Sequence, residues 1–125
     1  RGFVINSLAH PSKIQLSTDV PVPTPGADQV LVDVYSTGLN FFDVRRDLPW
    51  CRNTTDTMVL VQILQSQGKY QNQPPLPFTL GFEFAGRVSS KSPIPDGCPF
   101  KPGQRVFGAT QGAFADVVAV NWKTN

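Results

Sequence analysis

Proline and glycine cut this chain into short β-type runs, and that punctuation constrains its fold more than any other feature. Runs at 3–6, 14–17 and 29–36 open the chain, and runs at 84–90, 104–108 and 113–120 close it. Turn-forming segments separate them: PVPTPG at 21–26, SPIPDGCP at 92–99 and KPG at 101–103. In 29–36, Val30, Val32 and Val34 alternate against Leu31, Asp33 and Tyr35, the period of two expected of a half-buried strand. Many short strands joined by Gly/Pro turns predict a mainly β chain, a small barrel or sandwich. The 125 residues suffice for one compact domain, and nine phenylalanines give it bulk to bury.

Charge and residue counts remove several classes of function. The net charge is +2 without a Lys/Arg run, so neither a nucleic-acid stripe nor a polybasic membrane patch is expected. The apolar run MVLVQIL at 58–64 falls far short of a membrane span. Two cysteines, Cys51 and Cys98, and one histidine, His10, are too few for a disulfide framework or a zinc site, which points to a reducing, cytoplasmic setting. His10 lies in a proline-flanked turn and the chain has no GxSxG elbow, so a hydrolase triad is not expected. No two glycines are two positions apart, which excludes a dinucleotide fingerprint within this sequence. GFEFAGR at 81–87 comes near a phosphate loop, but Arg87 and Val88 stand where Lys and Ser/Thr are required. The chain starts at Arg1 and its single methionine is Met58, which suggests a processed N-terminus or a fragment.

The stretch 40–68 reads differently. Asn40 is a suitable helix N-cap, Asp43 follows three residues later as in a capping box, and Gly68 suits the position just past a helix end. Pro49 would end such a helix, and DLPWCRNTTDT at 47–57 has no period.

Four strings appear in order: PVPTPGADQVLVDVYSTGLNFFD, QGKYQNQPPLPFTLGFEFAG, KPGQRVFG and GAFADVVAV. Together they resemble the N-terminal GroES-like domain of medium-chain dehydrogenase/reductases, specifically the zinc-free quinone oxidoreductases, with a fungal character. The resemblance implies a GroES-like distorted antiparallel β-barrel with short helices, followed in that family by a doubly wound domain that binds NADPH. It implies hydride transfer to a small quinone or enone in the cleft between the two domains, in a protein that forms a homodimer when full-length. The chain on its own is then expected to be inactive. Zinc enzymes of the superfamily carry Cys and His where this sequence has Asn40 and Phe82, so the resemblance implies no metal. Asn40 and Asp43 match positions on the cofactor side of the cleft, and Tyr70 matches a tyrosine that faces the substrate. Each has a structural alternative: a helix cap for Asn40, a first-turn acid for Asp43 and a rim aromatic for Tyr70. Glu83 is expected to hold the turn beside the cleft. The competing reading of the whole chain is a noncatalytic GroES-like binding module.

Removing 44–62 joins Asp43 to Ile63 and restores the family pattern without a gap, with Phe42 and Leu64 on one helix face and Gly68 at its end. The removed piece is a whole number of codons. These permit a donor-like start at Val44-Arg45, a branch-like CTGAC at Thr55-Asp56 and a CAG acceptor at Gln62. A retained intron is the expected origin, and a surface insertion is the alternative.

Overall fold

The computed structural model describes residues 1–38, 66–68 and 75–124. Seven strands follow in chain order: β1 (Gly2–Ile5), β2 (Leu16–Ser17), β3 (Gln29–Thr37), β4 (Phe78–Thr79), β5 (Glu83–Val88), β6 (Arg105–Ala109) and β7 (Val117–Asn121). A 3-10 turn, Pro11–Lys13, lies between β1 and β2. The chain is mainly β, as its punctuation predicts.

The strands form two antiparallel sheets, ordered β2-β1-β4 and β6-β5-β3-β7. A bridge between Gly2 and Ala115 ties one sheet to the other. Beside it, Phe3 N–H donates to the Phe114 carbonyl and Asp116 N–H to the Arg1 carbonyl, each at 2.9 Å. Among the described residues the barrel that the resemblance implies thus takes the form of two sheets stitched along one side, without closure.

Alternation explains the main core. Val30 and Val32 of β3, Phe84 of β5, and Val118 and Val120 of β7 are buried together with Ala113. The positions between them, such as Arg87 and Arg105, point outward. Leu31 breaks this pattern, because it is 6% exposed although its neighbours on both sides face the core. The turn after β5 covers it: Ser89 N–H donates to the Leu31 carbonyl at 2.9 Å, and Leu31 N–H donates to Ser92 Oγ at 2.8 Å. A second cluster, Ile5, Phe78 and Leu80, belongs to the three-stranded sheet and packs on Ile14 and Phe114.

The expected strand at 14–17 reduces to Leu16–Ser17, and the run at 113–120 begins pairing with β3 only at Val117. Residues 113–116 are spent on crossing between the sheets, with Phe114 N–H bound to the Leu80 carbonyl at 2.9 Å. β4 is too short to carry a readable period.

Candidate functional site

β3 carries the sequence toward Asn40, and the turn after β4 carries the GFEFAG motif. A register shift between Val34 and Ser36 bends β3, and its last residue, Thr37, then lies opposite Phe84. Thr37 Oγ1–H donates to the Glu83 carbonyl at 2.6 Å, and Gly38 N–H donates to the same oxygen at 3.4 Å. Two motifs that the sequence keeps more than forty positions apart therefore meet at one junction. A Cβ at Gly38 would meet the Glu83 side chain, whose carboxylate would have to swing aside. Glu83 holds the junction through its main chain while its side chain remains exposed.

Gly81 turns the chain from β4 into β5 with φ of +94°, and a Cβ at this position would enter the Phe114 ring. Gly112 N–H donates to the Gly81 carbonyl at 3.0 Å, and Thr110 N–H donates to the Phe82 carbonyl at 2.6 Å. Phe82 itself is half-buried and offers no lone pair to a cation. Among the described residues no group of three or more His, Cys, Asp or Glu side chains could hold a metal ion.

An open groove of about 550 Å³ runs from this junction between the two sheets. Phe3, Ile14, Leu16, Leu80 and Phe114 make it apolar, and Tyr35, Ser36 and Thr37 add hydroxyls from the end of β3. Phe3 and Phe114 meet edge to face, with centroids 6.5 Å apart. Arg1 and Asp116 also line the groove, and Arg1 Nε–H donates to Asp116 Oδ2 at 3.4 Å. A lining of this kind suits a flat, largely apolar molecule. His10 is exposed and hydrogen-bonded to Ser12 Oγ at 2.9 Å. It does not line the groove.

Asn40, Asp43, Tyr70 and the stretch 44–62 lie outside the described residues. The sequence reading missed the apolar wall, because Phe3, Leu16 and Phe114 come from separate runs with no period in common. For the NADPH that the resemblance implies, the described residues give an apolar wall but no cradle for a pyrophosphate. The one arginine in the groove is already paired with Asp116. These residues do not fit the phosphate half of that cofactor.

The alcohol dehydrogenase GroES-like domain model matches residues 26–124. Mouse quinone oxidoreductase-like protein 2 is 34% identical over 99% of this chain, which spans 29% of that protein's length. A probable oxidoreductase from Mycobacterium abscessus superposes with a TM-score of 0.67 at 32% identity, covering 96% of this chain and 31% of its own. The quinone oxidoreductase of Thermus thermophilus, solved also in complex with NADPH, gives a TM-score of 0.60 at 25% identity, covering 98% of this chain and 30% of its own. With the four ordered strings, the two bridged sheets and the Gly38–Glu83 junction, the match establishes that this chain belongs to the alcohol dehydrogenase GroES-like domain family.

Proposed function

We propose that this chain is the substrate-side domain of a longer, zinc-independent oxidoreductase that passes hydride from NADPH to a quinone or conjugated enone. The observation that carries this reading is the 34% identity, over 99% of the chain, to a protein named as quinone oxidoreductase-like. The NADPH complex of the Thermus thermophilus quinone oxidoreductase supports the choice of cofactor. Asn40 and Phe82 replace the Cys and His of zinc enzymes, so no Lewis acid polarises the acceptor, which must already be electron-poor. Asn40 and Asp43 stand on the cofactor side of the cleft, and Tyr70 donates a hydrogen bond to the oxyanion that develops on the acceptor. The longer protein is a cytoplasmic homodimer without affinity for nucleic acid or membrane. In this reading 44–62 interrupts the domain as a retained intron.

The test is NADPH oxidation by the longer protein with benzoquinone as acceptor. Turnover is expected to survive a chelator, and Tyr70→Phe is expected to lower kcat about tenfold or more without a matching rise in KM. The 125-residue chain alone is expected to show no micromolar NADPH binding by fluorescence titration. Failure of the longer protein to bind NADPH would favour the noncatalytic binding module.

A further inference from the structure

The core-facing residues of the four-stranded sheet leave the alternate positions on its outer face, where the composition is unusual. In register across β5 and β6, Arg87 lies opposite Arg105, and Ala85 lies opposite Phe107. Like charges set directly opposite one another weaken a strand pair. Asp33 of β3 is in register with Arg87, yet no carboxylate among the described residues forms an ion pair with either arginine. Arg87 donates to the Gly103 carbonyl at 3.0 Å, and the Arg105 guanidinium has no partner among the described residues.

One residue pair further along, two aromatic rings stand in solvent: Phe107 is 86% exposed and Tyr35, at the bend in β3, is 75% exposed. Between them the sheet offers only the small residues Ala85 and Gly86, and the rings and arginines together line an open concavity of about 530 Å³. Same-face residues two apart on a strand are about 7 Å apart, so the aromatic row and the cationic row are one ring-width from each other.

We propose that this outer face is a binding site for a small aromatic anion, a flat ring carrying a phosphate or carboxylate. The ring lies over Ala85 and Gly86 between Tyr35 and Phe107, and the anion is held by Arg87 and Arg105. Guanidinium groups match planar or tetrahedral oxyanions through paired donors, and aromatic side chains hold flat rings by stacking. The bound anion also relieves the repulsion between the facing arginines, which gives the pairing a use. Charge decides against other occupants. A second copy of the chain would bring two arginine pairs together, and a neutral apolar molecule would leave the cations uncompensated. The concavity falls within the usual size of a small-molecule site. It adjoins the apolar groove, sharing Tyr35 and Ser36 with it, but Arg87, Arg105 and Phe107 line this concavity alone, and the inference does not depend on the oxidoreductase reading.

The isotope-labelled 125-residue chain is titrated with naphthyl phosphate, and separately with naphthol and with inorganic phosphate, followed by amide shifts. Shifts are expected on β3, β5 and β6 around Tyr35, Ala85 and Arg105, with each half-ligand binding about tenfold or more weakly than the whole. Arg105→Gln is expected to weaken naphthyl phosphate about tenfold and leave naphthol unchanged. Phe107→Ser is expected to weaken naphthyl phosphate and naphthol and leave phosphate unchanged. Both side chains are exposed, and an otherwise unchanged spectrum verifies the fold of each variant. Absence of shifts, shifts confined to other strands, or equal affinity of the variants and the original chain would overturn the proposal.

Discussion

At Gly86 a side chain has nowhere to go, because a Cβ would overlap the Asp33 carbonyl oxygen and press on Val32 Cγ1. The neighbour is the backbone of the central strand, so it cannot swing aside. Gly86→Ala is expected to cost about 1–3 kcal/mol in a denaturant titration, the range for overpacked interiors. Gly97→Ala, at φ of +79° with nothing within 4 Å of its Cβ, is expected to cost only about 1 kcal/mol, through backbone conformation alone. Ser92 poses the opposite problem. Its hydroxyl accepts from Leu31 N–H and donates to the Pro93 carbonyl at 2.9 Å, in a buried setting. Ser92→Ala strands the Leu31 donor and is expected to cost about 1–3 kcal/mol by the same titration. The sequence shows Gly86 as part of a motif, but its clash partner is on a strand more than fifty positions away and becomes visible only once β3 and β5 pair. Nothing in SPIPDGCP announces that Ser92 completes the hydrogen bonding of Leu31.

The elements differ in how firmly they are held. β3 has nine residues and is paired on both sides, with β5 and with β7, while β2 has two residues and leaves Leu16 49% exposed. Opening free energies follow buried contacts and paired backbone, so amide exchange should be slowest in β3 and β5 and about tenfold or more faster in β2 and β4. Uniform exchange across both sheets would show that the bridge at Gly2 and Ala115 couples them into one cooperative unit. Legibility in the sequence follows the same order. β3 is readable because its valines alternate over a long run, whereas β4 has only Phe78 and Thr79, too few for a period. The run at 113–120 misleads, because its first four residues look strand-like but serve the crossing between sheets, where Phe114 binds Leu80. The candidate site was legible only as motifs. GLN and GFEFAG are found by inspection, but the apolar groove beside them is assembled from Phe3, Leu16 and Phe114, which share no local pattern.

Across the whole molecule, the stretch 39–65 is entered and left at fixed points. Gly38 is bound to the Glu83 carbonyl, and Ser66, 1% exposed, accepts from Ala9 N–H at 2.8 Å. Gly68 follows with φ of +69°, the left-handed conformation expected where a helix ends, and a Cβ there would also push aside the Leu8 side chain. Both described hydrophobic clusters are built from residues before and after this stretch. If 44–62 is an insertion, its removal should therefore leave both sheets and their cores in place while shortening the loop to be closed. Closure entropy grows as the logarithm of loop length, so cutting the connection to roughly a third is expected to stabilise the domain by about 1 kcal/mol, or about 4–8 °C in Tm. The deletion also removes most of MVLVQIL, so recovery of soluble protein should improve. Thermal melts of the two chains test the physics, and transcript sequencing tests the origin by looking for the junction between Asp43 and Ile63. A deletion variant that melts lower or fails to fold, together with transcripts carrying only the long form, would make 44–62 an integral element of this domain and would undo the alignment of Asn40, Asp43 and Tyr70 with the family's cleft.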